Sequence, residues 1–194
     1  MIELIIVMAI IAVLGGMLSM LIEGYQRNAR LETANKRANI AYTGFQNMLI
    51  QCEIKQDISV FGSGAVGCVP VEIIVDDTVV GSNGDEDKIT SVKVNDVSLS
   101  GDELAKFKKA AVKEFSLSFS GAMRVWVNFS DYQVDSACYF EKASDVSDAK
   151  TKLDITIGAT YIECNTFSTY DVQRSVSKTY GYYVGAYPIQ SVLT

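Results

Sequence analysis

The first 22 residues of the chain, MIELIIVMAIIAVLGGMLSMLI, contain one charged side chain and are otherwise almost entirely apolar. About 20 such residues, at about 1.5 Å of rise each, form a helix long enough to cross the hydrocarbon core of a bilayer. A secretory signal has a shorter apolar region followed by a small-residue cleavage site, which is absent here. We therefore expect a helix that is retained and lies in an apolar environment.

The charged residue in this stretch is Glu3. A carboxylate within hydrocarbon costs on the order of 2–3 kcal/mol on insertion scales, so such residues usually have a partner and a task. The alternative is that Glu3, close to the chain start, simply reaches the headgroup region. The sequence leaves both interpretations open.

After Ile22 the pattern becomes amphipathic and continues to about Cys52. Apolar residues recur at spacings of three and four, and no proline interrupts the span, which predicts one helix over about 1–52, near 75 Å long. A helix with an apolar half and an amphipathic half suits packing against copies of itself and against its own head. The predicted head-facing residues are Ala34, Ala38, Ala41, Phe45, Met48 and Cys52. The small residues that permit close helix–helix approach are Ala9, Ala12, Gly15, Gly16 and Ser19.

This helix resembles the N-terminal helix of type IV pilins and their pseudopilin relatives. The motif comprises Ile2-Glu3-Leu4 at the start of the apolar run, followed by Gly15, Gly16, Tyr25 and Arg30. In that family a prepilin peptidase removes a short Lys-rich leader, and the mature chain reads F-T-L-I-E-L. The resemblance therefore implies that a leader and the first two mature residues precede Met1.

The resemblance also implies an assembly role for these residues. Glu3 matches the family glutamate that is thought to neutralise the N-terminal ammonium of a neighbouring subunit, and opposite charges in a low-dielectric core are expected to pair. The family often has a proline near Met20, and this chain has none. Gly15 and Gly16 can supply the same local weakness, because each Gly costs about 1 kcal/mol relative to Ala in a helix. The missing proline favours a pseudopilin slightly.

The charged residues after the apolar run affect the predicted orientation of the chain in the membrane. Arg27, Arg30, Lys36 and Arg37 favour a cytoplasmic location for the C-terminal side of the helix. A removed Lys-rich leader would outweigh them and place the bulk of the chain outside the cell.

The four cysteines agree with an oxidising compartment, because an even number suits disulfides. Three pairings are possible. We place Cys52 with Cys68 first, because that bond would join the helix end to the end of a Gly/Ser-rich loop. Cys138 and Cys164 would then bridge neighbouring strands, which is similar to the C-terminal disulfide common in the family.

Residues 54–194 are predicted to form a β-rich head domain after the helical segment 1–53. β-branched and alternating residues predict two hairpins and further strands, with a short helix to about Glu114. The predicted strands are 69–80, 89–99, 115–119, 123–129, 137–141 and 153–167. Residues 144–152 read as a loop or short helix. The tyrosine-rich tail, 170–188, is predicted to be an edge strand or a surface contact. The fold class is α+β, with a long N-terminal helix packed on an antiparallel sheet, as in pilins.

An acidic turn joins the first two predicted strands. Carboxylates bind hard cations, and some pseudopilins carry a calcium site, but the spacing here is not that of an EF-hand. A solvated acidic turn is the commoner explanation and is preferred. The weak calcium candidates are Asp76, Asp77, Asp85 and Asp87.

The composition excludes several classes of function. The chain has no histidine, which excludes Ser-His-Asp and Cys-His catalysis, and its net charge of −6 argues against nucleic acid as a partner. No nucleophile–base pair or phosphate loop is present, so we expect no enzyme activity and no cofactor.

The expected function is that of a structural subunit of a type IV pilus, held in the membrane before assembly and then polymerised into an extracellular surface filament for adhesion, motility or aggregation. The family's partners would be an assembly ATPase, a platform protein and the prepilin peptidase. The alternatives are a pseudopilin of type II secretion or competence, and a membrane-anchored binding module.

Overall fold

The computed structural model describes residues 2–115, 117–141 and 168–189. It begins with a single 54-residue helix, α1 (Ile2–Lys55), about 80 Å long at the usual rise. The predicted long N-terminal helix is confirmed. Its backbone remains helical through Gly15 and Gly16.

The rest of the described chain is built on one antiparallel sheet with the strand order β3-β2-β1-β4-β5-β6. The strands are β1 (Cys68–Val75), β2 (Ile89–Val94), β3 (Val97–Ser98), β4 (Gly121–Asn128), β5 (Gln133–Phe140) and β6 (Val184–Tyr187). The other helices are α2 (Asp85–Lys88), α3 (Gly101–Glu114) and α4 (Tyr170–Tyr180), and a 3-10 turn spans Ser59–Phe61. The α+β class and the helix-on-sheet layout are confirmed.

The C-terminal half of α1 packs on one face of this sheet, because alternate strand residues and every third or fourth helix residue are apolar. Phe45 from α1 contacts Phe61 in the 3-10 turn and Phe107 in α3, and all three rings are fully buried. The predicted helix face is confirmed, since its members are at most 5 % exposed: Ala34, Ala38, Ala41, Phe45, Met48 and Cys52.

The first predicted hairpin is confirmed, because β1 and β2 pair antiparallel from Val71↔Val94 to Val75↔Ile89. The second differs from the prediction. Leu117–Phe119 is not a strand, and the hairpin is formed by β4 and β5 instead. Both edges of β1 are occupied, by β2 and β4. The alternating residues Phe115, Leu117 and Phe119 are buried, so their pattern reflects contact with the core rather than strand pairing.

The tail prediction is partly wrong. Residues 170–180 form the helix α4, and only Val184–Tyr187 forms the edge strand β6. Val176 of α4 is buried with Tyr182 and Val184, so the helix is stabilised by packing beside the sheet edge. The predicted segments 144–152 and 153–167, together with Cys164, lie outside the described residues.

Candidate assembly interface

The N-terminal half of α1 projects from the head with its apolar side chains uncovered. Leu4 is 70 % exposed, Ile5 67 % and Met8 64 %, and α1 becomes buried only from Leu31 onward. Among the side chains described between positions 4 and 22, twelve large apolar ones are at least 48 % exposed. Burying these side chains would stabilise the protein by on the order of 15 kcal/mol. Soluble monomers rarely expose so large a continuous apolar surface.

Among the described residues, α1 is the one helix long and apolar enough to cross a membrane, judged by length and composition. The same stretch has the small residues that close helix packing requires. A Cβ added at Gly15 or Gly16 would meet no atom within 4 Å, so the head places no restriction on either position.

Glu3 lies in the first turn of α1 and is exposed. Arg30 is 27 residues further along the same helix, which separates the two by about 40 Å. The predicted assembly residues Glu3 and Arg30 are therefore not brought together within one chain. Among the residues that the structure describes, Glu3 forms no ion pair, and the first cation after it on α1 is Arg27, 24 residues further along.

The remaining predicted assembly residues lie where the helix enters the head. Tyr25 is 77 % exposed. The Arg30 guanidinium stands 5.6 Å from the ring centre of Tyr183, close enough for a cation–π contact. Tyr25 is thus available to a neighbour, whereas Arg30 contacts its own head.

Two polar contacts that the sequence did not reveal attach α1 to the head. The first is a hydrogen bond of 2.6 Å from Arg37 Nη1 to the hydroxyl of Tyr139 on β5. That hydroxyl in turn donates to the carbonyl of Ser120 at 2.6 Å. Burial raises the pKa of Tyr139, and the neighbouring Arg37 charge opposes the rise. The phenol therefore stays protonated and able to donate.

The second contact is a buried amide pair. Asn35 on α1 donates to Gln173 Oε1 at 3.1 Å and accepts from Gln173 Nε2 at 2.8 Å. Asn35 Oδ1 also accepts the backbone N–H of Ala186 on the edge strand β6, at 2.9 Å. One side chain therefore joins α1 to both α4 and β6. A polar residue beside the alanine face of α1 was the one available sequence signal for it.

The cysteines do not follow the first predicted pairing. Cys52 is buried at the end of α1 and Cys68 is exposed at the start of β1, and both are free thiols. Cys68 Sγ lies 3.2 Å from Asp135 Oδ2 and donates to it. Burial, followed by the Asp57 charge, raises the pKa of Cys52; burial, followed by the Asp135 contact, raises that of Cys68. The predicted Cys52–Cys68 disulfide is absent, and Cys138 lies buried on β5 while its predicted partner is outside the described residues.

The acidic turn does not gather its carboxylates around one point. Asp76 accepts from the backbone and hydroxyl of Thr78 and Asp77 accepts from Ser120 Oγ. Asp85 pairs with Lys88 at 2.6 Å, and Asp87 accepts from the backbone of Asn83. Across residues 2–115, 117–141 and 168–189, no group of three or more acidic, cysteine or histidine side chains is placed to hold a metal ion. Of the calcium candidates, Asp76, Asp85 and Asp87 each bond to a residue two to four positions away, whereas Asp77 accepts from Ser120, 43 positions away beside β4.

No protein-family model, curated protein or solved structure matches this chain. What the chain can do must therefore be inferred from its own geometry. That geometry is pilin-like in layout: a long, apolar N-terminal helix projects from a head in which its second half packs on an antiparallel sheet.

Proposed function

We propose that this chain is the structural subunit of a type IV pilus, most simply its major pilin. One observation carries the proposal: α1 is a single helix of which the first half is apolar and uncovered and the second half is buried in the head. Such a helix has two environments to occupy in turn. It lies in the bilayer while the subunit is single, and among copies of itself in the core of a filament.

The charge pattern supports this proposal over a plain anchor. A plain anchor has no use for Glu3 in its first turn, since the carboxylate only opposes insertion. In a filament the same carboxylate has a partner, because the ammonium group at the start of a neighbouring chain can reach it. The pairing compensates two charges in a low-dielectric core and sets the register between subunits.

The head supplies an outer surface for the fibre and no chemistry of its own. In this proposal the protein is not an enzyme and needs no cofactor. Its partners are other copies, the assembly ATPase, the platform protein and the prepilin peptidase, and the finished filament stands outside the cell.

A pseudopilin is the second candidate, and one feature favours it. Proline is absent from the whole of α1, and the helix is continuous through the glycine pair. The two candidates differ in product, because a pseudopilin forms a short rod whereas a major pilin forms long surface fibres.

The test is a charge-neutral replacement of Glu3 in cells that make the protein. We expect Glu3→Gln to remain in the membrane fraction but to disappear from the material sheared off the cell surface, measured by immunoblot of both fractions. Glu32→Gln is the matched control, since Glu32 is exposed on the same helix and pairs with the exposed Lys36 one turn away. Normal surface release of Glu3→Gln would contradict the filament proposal and favour a membrane-anchored module.

A further inference from the structure

A basic groove lies where α1 leaves the apolar segment and meets α4. Three of its side chains are cationic, namely Arg27, Arg174 and Lys178, and one is acidic, Asp171. The groove is lined by Gly24, Arg27, Asn28, Asp171, Arg174, Ser175 and Lys178. The chain as a whole carries a net charge of −6, so this concentration of positive charge is local.

The groove is a formed feature of the fold. On α4 its residues recur at positions 171, 174, 175 and 178, which places them on one side of the helix. Arg174 Nη2 donates to Asn28 Oδ1 at 3.3 Å, and this bond holds the two walls together. The buried pair of Asn35 and Gln173 fixes α4 against α1 about two turns of α1 beyond Asn28. The position of α4 is therefore fixed in part by a buried contact outside the groove lining.

The position of the groove along α1 determines its height relative to a bilayer that the apolar half of α1 spans. The apolar run ends at Ile22, and Arg27 lies five residues later, about 8 Å further along the helix axis. The headgroup region of a bilayer extends roughly 5–8 Å beyond the hydrocarbon on each side. When the apolar half of α1 spans the membrane, the groove consequently lies at the level of the lipid phosphates.

Nearby charges outside the groove do not remove its net positive charge. Glu23 lies one turn before Arg27 on α1, and Arg30 lies one turn after it, so this pair roughly balances. Arg30 is further committed to the ring of Tyr183. The groove itself keeps its excess of positive charge.

We propose that this groove binds the headgroups of anionic phospholipids and docks the head on the membrane before the subunit assembles. The proposal rests on the proposed membrane stage of a filament subunit and names the surface used in that stage. Basic residues at a bilayer surface attract anionic lipids, and the attraction weakens with salt. Docking would hold α4 against α1 and limit rotation of the head about the helix.

The experiment is hydrogen exchange of the full chain in nanodiscs, followed by mass spectrometry of peptides covering 170–180. One set of nanodiscs contains phosphatidylcholine only, and the other contains 30 % phosphatidylglycerol. Lipid bound to the docked form slows exchange that occurs through local opening of α4. We expect exchange in this segment to be at least about fivefold slower in the anionic nanodiscs, with the difference removed by 0.5 M salt.

The test variant combines Arg27→Glu and Lys178→Glu, which leaves the Arg174–Asn28 bond in place. Its control combines Lys106→Glu and Lys109→Glu, an equal charge change on the exposed side of α3. The test variant should lose the lipid effect, and the control should keep it.

Four outcomes would overturn the proposal. They are equal exchange of the unaltered chain in both lipids, an equal loss in test and control variants, full protection from free phosphate in phosphatidylcholine nanodiscs, and protection that arises only in assembled filaments. The last outcome would assign the groove to a protein neighbour. Failure of the chain to elute with nanodiscs would overturn the membrane stage itself, and the two failures are thereby distinguishable.

Discussion

Arg37 of α1 and Tyr139 of β5 are joined by a hydrogen bond of 2.6 Å, although they are 102 positions apart in the chain. The guanidinium also stands 5.1 Å from the centre of the Tyr139 ring and 5.3 Å from that of Phe119. The Tyr139 hydroxyl also donates a hydrogen bond to the carbonyl of Ser120, the residue just before β4. This connection links α1 to β5 and to the residue that precedes β4, two neighbouring strands of the sheet.

We predict that Tyr139→Phe destabilises the attachment of the head to α1. The variant keeps the ring but leaves Arg37 and the Ser120 carbonyl without their shared partner, at a cost of about 1–3 kcal/mol. Thermal unfolding of the full chain in detergent, followed by near-ultraviolet circular dichroism, measures this loss. Tyr25→Phe is the control, because Tyr25 is 77 % exposed and should change the transition little. Equal transitions for the two variants would contradict the structural role of the bond.

Helix α1 approaches the sheet closely at Gly185 on β6. A Cβ at this position would lie 2.0 Å from the carbonyl oxygen of Ala34, and backbone atoms cannot move aside as a side-chain end can. We predict that Gly185→Ala lowers stability by about 1–3 kcal/mol or more. In Gly24→Ala the new Cβ meets nothing within 4 Å, so that variant should be neutral or slightly stabilising in the same unfolding measurement. An unchanged unfolding transition for Gly185→Ala would contradict the close contact between β6 and α1.

Helix α1 was predictable because its signals are local and agree with one another. The spacing of Ala34, Ala38, Ala41 and Phe45 and the absence of proline all indicate a helix facing a head. Helix α4 was missed because its sequence, YDVQRSVSKTY, is rich in β-branched and aromatic residues that favour strands. The spacing of four between Val172 and Val176 and the left-handed Gly181 at its end were the contrary signals.

The contacts between α1 and the head could not be derived from sequence alone. Arg37 lies on a polar part of α1, and its partner Tyr139 is determined by which strand reaches that height in the sheet. The same holds for Asn35 and Gln173, which are 138 positions apart. The apolar half of α1 is a different case, because the unbroken apolar run already indicates a helix that lies in an apolar environment.

We predict that the thiol of Cys68 reacts slowly with iodoacetamide at pH 8 and faster in Asp135→Asn. Burial raises the pKa of the Cys68 thiol. The Asp135 carboxylate raises it further, because it accepts a hydrogen bond from the thiol and its charge opposes the thiolate. Removal of the charge lowers that pKa and increases the reactive thiolate fraction. The rate is measured by mass spectrometry of the labelled peptide, with buried Cys52 as an internal control that stays unlabelled in the folded protein. An unchanged rate would contradict the contact.

The free state of Cys52 and Cys68 is tested by a separate measurement. Protein denatured without reductant and alkylated at once should carry the label on both residues. A cross-linked Cys52–Cys68 peptide in the non-reduced digest would restore the disulfide predicted from sequence and contradict the structure.

The acidic turn should contribute to stability only while it is charged. Hydrogen bonds from the Thr78 side chain and backbone hold the pKa of Asp76 below its ordinary value of 3.8. A carboxyl whose pKa is lowered by folding stabilises the protein above the ordinary pKa and loses this effect as the pH falls through the folded value. We therefore predict that Asp76→Asn lowers the unfolding temperature at pH 6 and that its difference from the unaltered chain shrinks by pH 2.5. A difference that stays constant with pH would contradict this.

The most direct test of the filament proposal is electron microscopy of material sheared from cells that make this protein, with mass spectrometry of the main band. The two-part helix α1 predicts long, thin fibres built chiefly of this chain, with the apolar half of α1 in the fibre core and the sheet outside. Absence of the chain from every fibre, together with single subunits in the membrane fraction, would contradict the account and leave the pseudopilin and the membrane-anchored module as the better explanations.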